Sequence, residues 1–243
     1  MNSILNFRII FFSICMISHA GLTAQPGINM YAEAGKNCVS DGIFIRSAAF
    51  GIYEFGKNRV EAGIQTDLKS YCQSWFSGYA VSASREQVVN ASTLSVQGFW
   101  TRTSYSKILR ETNWGALFSI RRMRFEVIVG TNFRTYAFKA GAVQEYDIDE
   151  DAGRFHENFN LMYSLSCYLM PADDKWNAGL SVTNFDSFTI NQEVNPTFRL
   201  RGLYKPGSQV CLYAEVWHFT AGLLNMSMNH YGLLLKTGLS WNF

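Results

Sequence analysis

Charged side chains of both signs recur at alternate positions along this sequence, beside small and polar residues. Side chains two apart on a strand share a face, so these groups would meet on the polar face of a sheet. Such groups can pair across strands, fill a closed interior, or guide ions and small solutes through an open one. The charge network predicted on this face comprises Arg46, Glu61, Glu126, Arg134, Arg199, Arg201, Glu215 and Lys236.

Hydrolytic chemistry has one weak candidate. The stretch His218-Phe219-Thr220 resembles the His-x-Ser motif of lipid A deacylases, with Thr220 where the serine would stand. A nucleophile needs a base that a third group orients, and the next predicted strand offers no acidic residue on that face. We therefore predict no catalytic residue and no enzyme, with a lipid hydrolase as a remote alternative.

The cysteines predict at most one disulfide. Cys38 and Cys72 fall in two neighbouring outer loops of the architecture described below, and an exported protein meets an oxidising compartment. These two could be bonded. Cys167 and Cys211 fall on opposite faces of their strands, towards lipid and towards the interior, and should be free thiols.

Metal binding is predicted to be absent. No Cys/His spacing matches a zinc site. Asp147, Asp149 and Asp151 imitate the start of a calcium loop, but Gly153 comes one position late and no glutamate occupies the twelfth position. We expect a solvated loop, loosely bridged to lipopolysaccharide phosphates by divalent cations. No metal and no cofactor is predicted.

The elements that must position these residues are strands. Apolar and polar residues alternate over segments of ~9–11 residues, the length of a tilted membrane strand. The sequence therefore predicts an all-β protein, a transmembrane antiparallel up-and-down β-barrel of about twelve strands. The clear segments are 60–68, 125–133, 159–169, 176–183, 210–217 and 231–243, and the weaker ones are 28–35, 43–55, 75–85, 94–103, 114–122 and 197–204.

The links between these segments alternate in length. Short links rich in Gly, Pro, Asn and Asp are typical of tight turns. The longer, more polar links are 36–42, 69–75, 104–113, 139–156, 187–196 and 223–230. Short periplasmic turns and long outer loops are the outer-membrane pattern, and the 139–156 loop could fold inward as a plug.

Aromatic residues at strand ends predict two girdles at the membrane interfaces. The turn-side set is Tyr53, Phe55, Trp176, Trp241 and Phe243, and the loop-side set is Trp100, Trp114, Trp217 and Tyr231.

The first residues, 1–24, read as a secretory signal peptide: one early positive charge, a short apolar run and small-x-small cleavage patterns. The remainder, 25–243, is predicted to be one barrel domain. Charged residues make up 16% of the chain, below the ~25% of soluble domains. The near-neutral balance of charge argues against a nucleic-acid partner.

The final strand, with Tyr231, Leu239, Trp241 and Phe243 on one face, resembles the C-terminal recognition strand of Gram-negative outer-membrane barrels. Asn113-Trp114-Gly115-Ala116-Leu117 and Leu212-Tyr213-Ala214-Glu215-Val216-Trp217 are also similar to small barrels of that class. The resemblance implies an outer-membrane location, contact with lipid and lipopolysaccharide, and folding by the barrel assembly machinery. It implies no catalytic residue.

Two functions remain open on the sequence. One is a narrow polar pore, or solute-binding barrel, of unknown substrate. The other is a closed structural barrel that docks another envelope protein through its outer loops or its lipid face. Twelve strands lie between the eight that leave room only for side chains and the sixteen that leave a channel. Inward aromatic rings would narrow the interior: Tyr31, Phe50, Tyr136, Tyr213 and Trp217.

Overall fold

The structure, a computed structural model, describes residues 24–37, 43–69, 77–104, 109–147, 154–170, 175–185, 196–221 and 229–243. The predicted signal peptide up to residue 23, the two cysteines Cys38 and Cys72, and residues 148–153 of the acidic stretch lie outside the described residues.

The described chain forms twelve strands, each antiparallel to its sequence neighbours, and β1 pairs with β12 to close the barrel. The prediction of an antiparallel up-and-down barrel is confirmed. The strands are β1 Ala24–Asn37, β2 Phe44–Phe55, β3 Asn58–Lys69, β4 Ser77–Val89, β5 Ser92–Ser104, β6 Leu109–Arg122, β7 Phe125–Phe138, β8 Arg154–Tyr168, β9 Trp176–Thr183, β10 Thr197–Tyr204, β11 Val210–Ala221 and β12 Asn229–Asn242.

Several strands extend further towards the loop side than the sequence predicts. β6 begins at Leu109 and β8 at Arg154, inside the predicted loops 104–113 and 139–156. Polar residues at these strand ends, such as Glu111 and Asn113, read as loop in the sequence. They are inward-facing strand residues, because the interior of a transmembrane barrel tolerates polarity.

A short helix that the sequence does not predict, α1 Ala140–Glu145, follows β7. Ala142 is buried, yet neither α1 nor the rest of residues 139–147 lines the interior cavity. No helix in the described ranges is long and apolar enough to cross a bilayer.

The end of the chain forms half of the closing seam. β1 and β12 pair in register from Gly27 opposite Asn242 to Asn37 opposite Gly232. The amide of Phe243 donates a 2.8 Å hydrogen bond to the carbonyl of Pro26 just beyond that ladder. A closed barrel leaves no strand edge unpaired, as a bilayer requires.

The two faces of the wall differ as the alternation predicts. Large apolar side chains such as Leu165, Leu180 and Leu235 are exposed on the outer surface, where lipid would cover them. Hydroxyl side chains such as Ser164 and Thr183 are buried on the inner face. The sequence places Trp217 both in the loop-side girdle and among the inward rings; the girdle placement is wrong and the inward one is confirmed. Trp217 shares the inward face of β11 with Tyr213 and Glu215, and only 6% of its surface is exposed.

Inward aromatic rings lie against glycines of the neighbouring strand. A Cβ atom at Gly63 would collide with the ring of Phe50, and one at Gly238 would collide with the ring of Tyr213. Each ring occupies the place that a side chain would take on the next strand. Phe50 and Tyr213 therefore lie along the wall and take less of the interior than rings that point at the barrel axis.

Candidate functional site

A cavity of about 980 Å³ runs along the inside of the barrel. Its lining extends from Lys205 and Ser240 at the turn side to Glu111 and Asn160 at the loop side. Most of the lining consists of charged, hydroxyl or amide side chains, which hydrate well. This interior is the candidate site, and its charged residues decide what it can accept.

Six charged residues of alternating sign cross six adjacent strands in register. Each is paired by backbone register with the next, and the row passes through the β1–β12 seam. Opposite charges on facing positions attract. This row therefore stabilises the observed strand register relative to registers shifted by one or two residues. The row, which we call the charge ladder, is Arg201, Glu215, Lys236, Glu33, Arg46 and Asp67.

At one end of the ladder, Arg46 lies between two carboxylates. Its Nε lies 3.0 Å from Asp67 Oδ1, and its Nη1 lies 3.8 Å from Glu33 Oε1. The amide of Gln65 donates a 2.6 Å hydrogen bond to Glu33. Both carboxylates are buried. We call Glu33, Arg46 and Asp67 the buried trio.

A second arginine between two carboxylates lies on the same strands, closer to the turn side. Arg59 Nη1 lies 3.1 Å from Glu54 Oε1, and its Nη2 lies 3.2 Å from Glu61 Oε2. Its side chain is 40% exposed. We call Glu54, Arg59 and Glu61 the open trio.

The other end of the ladder, on β10 to β12, is rich in basic groups. Arg201 Nε lies 3.0 Å from Glu215 Oε1, and the indole of Trp217 donates a 2.8 Å hydrogen bond to Glu215 Oε2. Arg199 donates a 3.3 Å hydrogen bond to Ser181, and its guanidinium lies 5.2 Å from the centre of the Trp217 ring. This arrangement places one guanidinium group on the Glu215 carboxylate and a second over the neighbouring Trp217 ring.

Lys236 lies opposite a carboxylate on each side, yet its ammonium lies over an aromatic ring. The Nζ atom is 3.7 Å from the centre of the Tyr31 ring. Tyr31 in turn stacks on Phe50 at a centroid distance of 6.0 Å. A cation over a ring face is attracted by the ring quadrupole, which holds this ammonium at the cavity surface.

Two further predicted members of the network bind partners elsewhere on the wall. Arg134 lies 3.7 Å from the buried carboxylate of Glu111, a residue that the sequence analysis assigned to a loop. Glu126 accepts a 2.8 Å hydrogen bond from the hydroxyl of Tyr168, whose ring lies 4.5 Å from the guanidinium of Arg121. The predicted network therefore divides into separate clusters around the wall.

Sequence reasoning missed Glu33 and Glu111, two of the four buried acids that pair with arginine in the described chain. Glu33 shares the parity of Tyr31 within the weakly alternating segment 28–35, so a strict count of parity would have placed it inside. Glu111 carried no such signal, because its strand begins earlier than the alternation.

Two inward amides carry buried oxygen atoms without a hydrogen-bond partner among the described residues, Asn113 Oδ1 and Asn132 Oδ1. Both residues line the cavity on adjacent strands.

At the outer rim, burial and the positive charge of Arg110 lower the pKa of Lys139 from its ordinary value.

The remaining sequence candidates show no reactive constellation. Thr220 donates its hydroxyl, at 2.6 Å, to the carbonyl of Pro196, so this oxygen is already engaged in the barrel wall. Within the described ranges, no group of three or more His, Cys, Asp or Glu residues is placed to hold a metal ion. Cys167 is an exposed free thiol on the outer face, and Cys211 is a free thiol that lines the cavity.

Solved structures share this fold at low sequence identity. The KdgM porin superposes with a TM-score of 0.52 at 9% identity, over 89% of this chain and 99% of that one. The same porin in complex with disordered oligogalacturonate gives 0.51 at 11% identity, with the same coverage. The COG4313 outer membrane channel from Pseudomonas putida F1 gives 0.51 at 9% identity, over 93% and 98% of the two chains.

No protein-family model and no curated protein matches the sequence. The likeness to solved structures therefore shows the fold, a barrel of the outer-membrane type. The prediction of an outer-membrane β-barrel is confirmed at that level. The apolar outer surface and the closed sheet are the features that such a location requires.

Proposed function

We propose that this protein is an outer-membrane channel with a narrow, polar interior that admits small hydrophilic solutes. The observation that carries the proposal is the cavity of about 980 Å³ lined by charged and polar side chains from both ends of the barrel. A barrel sealed by its own side chains would have them interlocked across the axis. Here the rings of Phe50 and Tyr213 lie along the wall instead, against glycines.

Ion conductance in a planar bilayer tests the proposal. The purified protein is folded, its barrel is verified by heat-dependent gel mobility, and discrete current steps are sought in potassium chloride. We expect steps of small amplitude, because the cavity is narrow. An intact barrel that leaves the membrane silent would contradict the channel and favour the closed barrel that docks an envelope protein.

Three further proposals concern maturation and surroundings. We propose that residues 1–24 are removed as a signal peptide, which the mass of the membrane-extracted protein would reveal. We propose that Cys38 and Cys72 form a disulfide, since both follow strands that run towards the loop side. A mass difference after reduction and alkylation would detect it.

We also propose that the terminal strand is read by the barrel assembly machinery through Tyr231, Leu239, Trp241 and Phe243. Its support is the position of β12 at the closing seam, where Trp241 and Phe243 are exposed on the lipid side. Lipopolysaccharide is the proposed partner of the outer rim, where Arg110 and Lys139 supply positive charge. Replacing Phe243 with Ser should lower the yield of folded barrel in cells.

A further inference from the structure

Six ion pairs of the described lumen share one feature: the basic side chain is more exposed to solvent than its acidic partner. The contrast is largest for Arg201 and Glu215, whose side chains are 32% and 5% exposed. The acids lie closer to the wall, and the side chains of Arg59, Arg134 and Arg201 line the cavity. Side-chain length is the cause, because arginine extends further from the backbone than glutamate or aspartate does.

As a result, the cavity surface is strongly positive although the inward-facing charges nearly balance. Among described residues, three acidic side chains line the cavity: Glu61, Glu111 and Glu215. Seven basic side chains line it: Arg59, Arg121, Arg134, Arg199, Arg201, Lys205 and Lys236. The carboxylates that balance the charge elsewhere, such as Glu33 and Asp67, are buried in the wall and do not line the cavity.

Three of these cations, Arg121, Arg199 and Lys236, form no ion pair with a carboxylate of the described chain, and Arg121 lies over the Tyr168 ring at the opposite wall. Arg199 bonds to a serine hydroxyl and lies over Trp217, and its Nε atom is buried without a hydrogen-bond partner. Lys236 lies over Tyr31. Arg199 and Lys236 lie on β10 and β12, on either side of the Glu215 carboxylate, which already binds Arg201 and Trp217.

We propose that the lumen is selective for anions and that Arg199 and Lys236 form the site where a solute carboxylate or phosphate group binds. The inference rests on the proposed channel and specifies what passes through it. A guanidinium group presents a planar fork of donors that matches both oxyanions. A narrow cavity with low-dielectric walls concentrates the field of such charges and raises the local concentration of anions.

The test is the reversal potential of the folded wild-type channel in a potassium chloride gradient, with and without substitutions. We expect chloride to be more permeant than potassium. Arg199→Gln and Lys236→Gln should each lower the chloride-to-potassium permeability ratio about two- to fivefold, the factor that one charge contributes a few ångströms from an ion in water. Arg199→Lys keeps the charge and should keep most of the selectivity.

Arg85→Gln is the matched control, because Arg85 is exposed near the β4–β5 turn and does not line the cavity. Its permeability ratio should equal that of the wild type. A conducting channel that prefers potassium, or one whose preference survives loss of both cations, overturns the anion site and leaves the channel standing. A silent but intact barrel overturns both.

Block by added oxyanions distinguishes the two ligand groups. Citrate and inorganic phosphate are added separately to the wild-type channel in dilute potassium chloride. Either should reduce the chloride current at concentrations at which the Arg199→Gln channel is unaffected, and the stronger blocker identifies the preferred group. Equal block of wild type and variant by both anions would overturn a site at Arg199.

Discussion

The buried trio and the open trio each hold one arginine between two carboxylates and share strands β2 and β3, yet they differ in exposure. In each, an arginine of β2 or β3 lies between two carboxylates. Asp67 in the buried trio has a side chain only 3% exposed, whereas Glu54 in the open trio has 32%. Residue types alone therefore do not determine whether a charged cluster stabilises the barrel wall or exposes its charge to solutes in the cavity.

An aromatic layer separates the two trios. Phe50 lies midway between Arg46 and Glu54 on the inward face of β2, against Gly63, and stacks on Tyr31. The ring shields the buried trio from the cavity below it. In the open trio, Arg59 and Glu61 line the cavity.

The largest expected effect is the loss of the central cation of the buried trio. Arg46→Gln leaves two buried carboxylates without their arginine, which should reduce the free energy of unfolding by about 3–5 kcal/mol. Urea unfolding of the protein in lipid vesicles would measure it. Arg59→Gln is the matched change in the open trio, and equal losses for the two variants would contradict the distinction.

A smaller effect is expected where the aromatic layer meets the wall. A Cβ atom at Gly63 would collide with Phe50 and with the carbonyl of Ala49. Gly63→Ala should therefore displace the ring and cost about 1–3 kcal/mol of stability, as overpacking does. Gly98→Ala is the control, since a Cβ atom there meets nothing within 4 Å. A loss as large at Gly98 would point to strand propensity instead.

The smallest effect on stability is expected in the open trio. Arg59→Gln should change the free energy of unfolding by about 1 kcal/mol or less, because exposed ion pairs contribute little. It should nevertheless lower the chloride-to-potassium permeability ratio, since Arg59 lines the cavity. The change in ratio should shrink as salt is raised, because salt screens exposed charges. A stability loss as large as that of Arg46→Gln would show that Arg59 stabilises the barrel wall as Arg46 does, which would contradict the distinction between the two trios.

Much of the fold could be predicted from alternation alone. The outer face must be apolar and the inner face tolerates polarity, so parity fixes which residues face lipid. Trp217 shows the limit of reading residue type before parity: a tryptophan near a strand end suggests a girdle, yet its neighbours Tyr213 and Glu215 on the same face require it to point inward.

The site was harder to predict than the fold. For most network residues, the alternation of positions along the strand predicts that the side chain faces inward. It does not do so for Glu111, because its strand extends beyond the apolar alternation. The orientation of the ion pairs depends on how far each side chain reaches from the wall. The separation of the two trios depends on one ring packing on one glycine of the next strand. Neither relation is visible until the strands are in register.

The central claim is that a positively charged, water-filled path runs through the barrel. The reactivity of the two described cysteines tests it most directly. Cys211 lines the cavity, and Cys167 faces outward towards lipid. One variant would keep Cys211 and lack Cys167, and the other would keep Cys167 and lack Cys211. Each would be folded in vesicles, and its rate of reaction with a negatively and with a positively charged thiol reagent would be measured. Each rate would be divided by the rate of the same reagent with a free thiol in solution.

The account predicts that Cys211 reacts, that the negative reagent reacts faster than the positive one there, and that Cys167 reacts slowly with both. An unreactive Cys211 would contradict an open lumen. A Cys211 that prefers the positive reagent would contradict the positive cavity surface.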